Sequence, residues 1–164
     1  MTRLEVPVQL RWSDMDAYQH VNNVEMLRLL EEARIEAFWR HPTAPDGTRV
    51  ESALPTAVLD AGPGAEVSTL VARQEIEYLK PLGYRRTPVI VEVWIGHLGG
   101  ASIDVCYEVR DAGEPGPDRV TYARAVTTLV LVDAATGSPR RIDAAGREAW
   151  GAYLEAPVVI RRRS

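Results

Sequence analysis

The spacing of apolar residues divides the chain into a strand, a long helix and a series of further strands. From Val6 to Trp12 apolar and polar residues alternate, which is typical of a half-buried strand. Between about Asn23 and Trp39 the period becomes helical, so the pattern predicts a helix with one apolar stripe. The stripe comprises Met26, Leu27, Leu30, Ala33, Ala37 and Phe38. Because few polar residues interrupt this helix, we expect it to be buried around most of its circumference.

Four more strands are predicted after the helix, separated by turns rich in glycine and proline. They span residues 71–79, 89–97, 102–110 and 120–132. A short strand at 57–59 and a final helix from about 143 to 154, capped by Asp143, complete the pattern. Two faces are expected to be buried, one made of Val89, Val91, Val93 and Ile95 and the other of Ile103, Val105, Tyr107 and Val109. This order predicts an α+β fold in which an antiparallel sheet wraps around one helix.

Such a curved antiparallel sheet leaves an edge strand with unpaired backbone groups. Edge-to-edge pairing of two sheets is a common way to satisfy those groups. We therefore expect a homodimer or a homotetramer.

Length, composition and charge exclude several classes of protein. A chain of 164 residues predicts a single domain over 1–164, and apolar and charged fractions of 46% and 26% are ordinary for a globular protein. A net charge of −4 gives no reason to expect nucleic-acid binding. No apolar run approaches membrane-spanning length, and the first residues lack the apolar core of a signal peptide. The single cysteine, Cys106, cannot form an internal disulfide. We expect a cytoplasmic protein that binds neither nucleic acid nor membrane.

Polar residues capable of acid–base chemistry are concentrated between the first strand and the helix. They are Asp14, Asp16, His20, Asn22 and Asn23. The start of the helix presents free backbone N–H groups and the positive end of the helix dipole at the same place. A carboxylate beside such a helix end suits a reaction that develops negative charge on a carbonyl oxygen.

Each of these residues also has a structural alternative. An aspartate before a helix commonly caps it or forms an Asx turn, although Asp16 lies several residues ahead of the first helical turn. Asp14 is expected to be structural. His20 either polarises a carbonyl or orients water, or it packs as a neutral loop residue, and the sequence leaves both open. One of Asn22 and Asn23 should cap the helix. Since the histidines are isolated, we predict no metal and no cofactor.

The segment RWSDMDAYQHVNN resembles the signature of hotdog-fold thioesterases of the 4-hydroxybenzoyl-CoA thioesterase type. The segments LRLLEEARIEAF, EIEYLKPLGY and YARAVTTLVLVDAATGSPRRI are similar to that family in the same order. The resemblance implies a curved antiparallel sheet wrapped around a long central helix, and hydrolysis of an acyl-CoA to a free acid and CoA. It also implies that Asp16 is the catalytic residue, acting as nucleophile or general base. The backbone N–H that polarises the thioester carbonyl corresponds to Asn23 or Val24.

The resemblance also suggests the residues that bind substrate. Asn22 and Met26 are candidates beside the acyl group, and Lys80, Arg85 and Arg86 are candidates for the phosphates of CoA. Two positions depart from the family pattern: Gln19 stands where a glycine is common, and Met26 where a tyrosine is common. These departures keep a non-catalytic acyl-CoA-binding module open. A hotdog-fold enoyl-CoA hydratase or dehydratase, pairing Asp16 with His20, is the other alternative.

Overall fold

The computed structural model describes residues 3–41, 45–48 and 54–162. In chain order its elements are β1 (Leu4–Val8), a 3-10 turn (Trp12–Asp14), α1 (Asn23–Phe38), β2 (Val67–Tyr78), β3 (Val89–Leu98), β4 (Ser102–Arg110), β5 (Thr121–Asp133) and α2 (Ala144–Gly151). The strands form one five-stranded sheet in the order β1-β3-β4-β5-β2. Every neighbouring pair is antiparallel, which confirms the predicted α+β class.

Helix α1 packs against one face of the sheet, chiefly over β1 and β3. Its predicted apolar stripe is buried apart from Leu27, which is half-buried, and Leu29 joins the core. The expected inward-facing residues of β3 and β4 are buried against it, so the period-two pattern identified them correctly. Glu31, Glu32 and Ile35 are exposed on the far side of α1. The expectation of burial around most of the helix is therefore wrong for the single chain.

The first strand is Leu4–Val8, shifted from the predicted span of 6–12. Its pairing with β3 stops at Val8, because the residues that follow fold into the 3-10 turn. The carboxylate of Asp14 accepts the backbone N–H of Arg11 at 2.7 Å and draws the chain out of the extended conformation. Trp12, expected on the inward face of a strand, lies on this turn with 71% of its surface exposed.

Other element ends also differ from the sequence pattern. Strand β2 begins at Val67, earlier than expected, because it is an exposed edge strand whose residues need not alternate between core and solvent. The segment predicted as a short strand at 57–59 makes one isolated bridge, between Leu59 and Trp39. Helix α2 ends at Gly151, and its predicted cap is confirmed because the Asp143 side chain accepts the N–H of Gly146 at 2.8 Å.

A buried carboxylate connects the loop before α1 to the helix itself. The Asp14 side chain is fully buried, and its Oδ1 accepts a hydrogen bond from Nη2 of Arg28, on α1, at 2.8 Å. Burial alone would raise the pKa of Asp14. Hydrogen bonds from the Arg11 backbone and from the Arg28 and Arg11 guanidinium groups outweigh burial and hold the pKa below its ordinary 3.8. Asp14 is therefore charged, and it fixes the loop at one position relative to α1.

The segment after α2 crosses the face of the sheet opposite α1. Backbone hydrogen bonds join Tyr153 and Glu155 to Ile95, and the indole of Trp94 donates to the Ala156 carbonyl at 3.0 Å. Gly96 allows the close approach, since a Cβ at that position would lie 2.6 Å from Sγ of Cys106 and 3.2 Å from Cα of Pro157. The C-terminal segment can therefore pack against the sheet only because residue 96 has no side chain.

We expect Gly96→Ala to lower the free energy of unfolding by about 1–3 kcal/mol, because the added methyl group overpacks a site closed by backbone and a buried thiol. Urea unfolding measures this. Gly100→Ala is the matched control: a methyl group there meets no atom within 4 Å, so its effect should stay within about 0.5 kcal/mol. Equal stability of the two variants would contradict the packing described for the C-terminal segment.

We expect Asp14→Asn to destabilise the protein by about 2 kcal/mol at neutral pH, because the guanidinium groups of Arg11 and Arg28 each lose their one buried carboxylate partner. The pKa of Asp14 is lower in the folded chain than in the unfolded chain. Its contribution is therefore complete above about pH 4 and is lost as the pH falls through the folded pKa. The stability difference between the wild type and the variant should shrink below about pH 4. Asp60→Asn, which removes an exposed ion pair with Arg40, is the control and should change the free energy of unfolding little. A loss of stability in Asp14→Asn that does not vary with pH would refute the conclusion that a charged Asp14 stabilises the fold.

Candidate active site

Asp16 lies in a tight turn made by its own neighbours. Its Oδ1 accepts the backbone N–H groups of Tyr18 at 2.8 Å and His20 at 3.2 Å. Its own backbone N–H donates to the His20 carbonyl at 2.8 Å, which closes the turn. The other carboxylate oxygen, Oδ2, accepts no hydrogen bond from the described part of the chain. One oxygen of Asp16 thus fixes the side chain, and the second remains available for chemistry.

The same turn explains the departure at Gln19. This residue has a φ of 62°, in the left-handed region that glycine adopts without steric cost. A residue with a Cβ holds that conformation at a cost of about 1–2 kcal/mol. Hydrogen bonds within the turn, including that from the Gln19 N–H to the Asp16 carbonyl at 3.0 Å, offset this cost. The physical preference for glycine at this position is therefore conformational.

Asn22 caps α1, as one of the two asparagines was expected to do. Its side chain accepts the N–H of Val24 at 2.9 Å, and its own N–H donates to the Asp14 carbonyl at 2.8 Å. Because the cap uses the Val24 N–H, the helix-start groups without an acceptor in the described chain are those of Asn23 and Glu25. Of the two backbone groups predicted from the sequence, only the Asn23 N–H is left for a ligand.

The other two candidates, His20 in the loop and Met26 on α1, differ in exposure. His20 is exposed and contributes through its backbone, which also bridges to Gly83. The imidazole has no hydrogen-bond partner among the residues described. Met26, expected beside the acyl group, is 3% exposed and packs in the core, so it does not line an open cleft in the single chain.

The three basic candidates separate into one structural and two free residues. The guanidinium of Arg85 pairs with Asp111 and donates to the hydroxyl of Tyr122, so these donors are already engaged. Lys80 and Arg86 are exposed, and neither has an ion-pair partner in the described ranges. They precede and follow the segment 82–84, which runs beside the loop that carries Asp16. Lys80 and Arg86 remain the candidates for phosphate binding.

A cleft of about 430 Å³ opens directly beside Asp16. Its lining residues are Trp12, Met15, Asp16, Gln19, Gly83 and Tyr84. The rings of Trp12 and Tyr84 meet edge to face, with centroids 5.2 Å apart. Sequence reasoning missed both aromatic residues, because Trp12 was assigned to a strand and Tyr84 follows a turn. The position of Trp12, two residues before Asp14, is the feature of the sequence that could have pointed to an aromatic lining.

A second cleft, of about 450 Å³, lies at the opposite end of α1. It contains Arg40, Arg140 and Arg141, but none of the predicted catalytic residues. Arg140 is paired with Glu66 at 3.2 Å. Since α1 has 16 residues and is about 24 Å long, this second cleft is remote from Asp16.

Two further classes of feature were searched in the described residues. No group of three or more histidine, cysteine, aspartate or glutamate side chains there could hold a metal ion. No helix in the same part of the chain is long and apolar enough to cross a membrane.

Solved structures with the same fold extend over nearly the whole chain. A thioesterase from Thermus thermophilus, complexed with coenzyme A and Zn, is 28% identical over 91% of this chain and 92% of its own, with a TM-score of 0.64. A protein from Pseudomonas aeruginosa strain PAO1 is 22% identical over 94% of each chain, with a TM-score of 0.70. A thioesterase superfamily protein from Jannaschia sp. CCS1 is 18% identical over 94% of this chain and 95% of its own, with a TM-score of 0.68. The last two show the fold alone.

The family comparison supports the same class. No curated protein sequence matches the chain significantly. A family model, that of the thioesterase-like superfamily, matches residues 10–154. The match includes the loop with Asp16, helix α1 and every strand after it, and the sheet and α1 are consistent with a hotdog fold. The expectation of an enzyme of the thioester hydrolase class is confirmed at this level. The chain belongs to the thioesterase-like superfamily.

Proposed function

We propose that this protein is an acyl-CoA thioesterase in which Asp16 carries out the chemistry. The observation that carries the proposal is the Asp16 carboxylate, which is fixed through Oδ1, has Oδ2 available, and lines an open cleft. The Thermus relative complexed with coenzyme A supports CoA as the thiol part of the substrate. A carboxylate held in this way needs no metal ion to attack a thioester or to activate water.

The proposed reaction uses Asp16 and the start of α1 together. Either Oδ2 attacks the thioester carbon and forms a mixed anhydride that water then hydrolyses, or it removes a proton from a water molecule that attacks the same carbon. In both routes the C–S bond breaks and CoA leaves as a thiolate, which needs no strong acid. The negative charge on the carbonyl oxygen is stabilised by the Asn23 N–H and the positive end of the helix dipole.

The basic residues around the site agree with a CoA ester as the substrate. Lys80 and Arg86, which have no ion-pair partner in the described chain, would bind the CoA phosphates at the rim of the site. Neither needs to break an existing salt bridge to do so, in contrast to Arg85. We assign Arg85 to structural support of the segment that carries them.

We also propose that two copies of the chain associate through β2. This strand of 12 residues is an edge of the sheet, and Leu70, Val71 and Tyr78 on it are exposed apolar side chains. The hydroxyl of Tyr78 donates to the Asn23 carbonyl at 2.7 Å, so the edge lies beside the start of α1. Pairing along β2 would satisfy its backbone groups and bring the partner next to the site.

We expect Asp16→Asn to reduce thiol release from acyl-CoA by at least about 100-fold, because the amide cannot act as nucleophile or base. The amide oxygen can still accept the Tyr18 and His20 N–H groups, so the loop should keep its fold. The assay measures free CoA with a thiol reagent over a panel of acyl-CoAs. Glu31→Gln, which changes an exposed glutamate of α1, is the matched control and should retain wild-type turnover.

Two results would contradict this assignment. One is wild-type turnover by Asp16→Asn. The other is consumption of crotonyl-CoA without thiol release, which would identify a hydratase instead.

For the assembly, we expect the wild-type chain to sediment at twice the mass of one chain at micromolar concentrations. Val71→Lys should shift this equilibrium toward the monomer, because a charge on the β2 face must be desolvated when two edges pair. Leu154→Lys, at an apolar residue that is 53% exposed and lies against β3, should leave the mass unchanged. A monomeric wild type would overturn the β2 proposal.

A further inference from the structure

We propose that Trp12, Tyr84 and the bare backbone at Gly83 form the surface that receives the acyl group, and that Gly83 sets the width of the acyl group accepted. We call these three residues the acyl surface. The inference rests on the proposed function and names its substrate class: thioesters of apolar acyl groups that are broad next to the carbonyl, either branched or carrying a ring.

The position of Asp16 limits what can occupy the cleft. Asp16 lines the same cleft as the acyl surface, and in the proposed reaction it must lie next to the thioester carbon. The part of the substrate that fills this cleft is therefore a group bonded directly to the thioester carbon or sulfur. The nucleotide of CoA is excluded, since the whole pantetheine arm separates it from the thioester. The choice is therefore between the acyl group and the first atoms of that arm.

The chemistry of the lining favours the acyl group. Trp12 is 71% exposed and Tyr84 is 40% exposed, so a large aromatic area faces the cleft and solvent in the free protein. An apolar group placed there removes its own surface and that of the rings from water, which is favourable in proportion to area. The pantetheine arm carries amides that need hydrogen-bond partners, whereas the lining is dominated by the two aromatic rings and Met15, with the Asp16 carboxylate, the Gln19 amide, the Tyr84 hydroxyl and the Trp12 indole N–H as its polar side-chain groups.

The segment that carries Tyr84 is held firmly beside the loop. The Val21 N–H donates to the Leu82 carbonyl at 2.8 Å, and Gly83 bridges to His20. Further along, the Gln9 side chain donates to the Arg86 carbonyl at 2.8 Å. The acyl surface is thus fixed relative to Asp16 before substrate arrives, as a specificity surface requires.

Gly83 leaves room that its backbone conformation does not require. Its φ is not in the left-handed region, so a residue with a side chain could adopt it, and a methyl group there would meet no atom within 4 Å. Because Gly83 lines the cleft, the missing side chain leaves the cleft wider beside the aromatic pair. A straight acyl chain does not need that width, whereas a branched or ring-bearing group does.

The experiment compares hexanoyl-CoA with cyclohexanecarbonyl-CoA for the wild type, Gly83→Val, Trp12→Ala and Tyr84→Ala. Gly83→Val should lower kcat/KM for the ring substrate by about tenfold or more, and change the straight substrate by less than about threefold. Trp12→Ala and Tyr84→Ala should each lower kcat/KM for both substrates by about tenfold. Val159→Ala, an exposed apolar truncation outside the cleft, is the control. If circular dichroism shows that Gly83→Val does not fold, Gly83→Ala takes its place, and it too should lower kcat/KM more for the ring substrate than for the straight-chain substrate.

The same acyl groups on N-acetylcysteamine separate the two sides of the thioester. If the acyl surface binds the acyl group, the fold-losses for Trp12→Ala and Tyr84→Ala persist with these truncated substrates. Losses that disappear with them would assign the surface to the CoA arm and overturn the inference, as would unchanged selectivity in Gly83→Val. A wild type that hydrolyses neither CoA ester nor any other acyl-CoA would instead refute the proposed function itself.

Discussion

The burial of one charged carboxylate, that of Asp14, organises this end of the molecule. A carboxylate with no access to water is stable only if it is paired and hydrogen-bonded, and Arg11 and Arg28 provide both. Because Arg28 belongs to α1, the ion pair sets the distance between loop and helix. The Asp14 carbonyl also accepts the Asn22 N–H, so the residue that caps α1 is positioned from the same point. Asp14 therefore positions both the loop that carries Asp16 and the start of α1.

Two aspartates separated by a single residue have opposite environments. Asp14 is buried, and its oxygens accept hydrogen bonds from two arginines, which leaves it no chemical freedom. Asp16 is partly exposed, and among the described residues its carboxylate accepts hydrogen bonds only from backbone N–H groups of its own turn, through one oxygen. The difference is one of burial and donors, since the residue type is the same. It agrees with a supporting role for the first and with the reactivity proposed for the second.

The two edges of the sheet are also treated differently. Near β1, a network around Arg3, which contacts Glu92, Glu108 and Glu155 and stacks over Trp94, covers the outer face, and the C-terminal segment continues across that face to Glu77 of β2. At the other edge, β2 leaves Leu70, Val71 and Tyr78 exposed, and the Tyr78 hydroxyl lies beside the start of α1. The Tyr78 end of β2 is the part of this edge next to the proposed chemistry, so the proposed assembly would bring the partner close to the site.

Short-range patterns in the sequence were sufficient for most of the helices and strands and for pointing to the candidate loop. Alternation identified the buried faces of β3 and β4, helical spacing identified the stripe of α1, and Asp143 was recognised as a cap. These features depend on neighbours within a few residues. The acidic loop before α1 was found in the same way.

Only the folded chain determined which groups are free. Arg85 is neutralised by Asp111, Val24 gives its N–H to Asn22, and Trp12 turns outward to meet Tyr84. The Arg85 and Trp12 contacts join residues far apart in the sequence, whose meeting depends on how strands and loops pack. The Val24 bond is local but depends on where α1 begins, which the loop geometry decides. Periodicity carries no information about such partners, because it records burial and not the identity of the atom that is met.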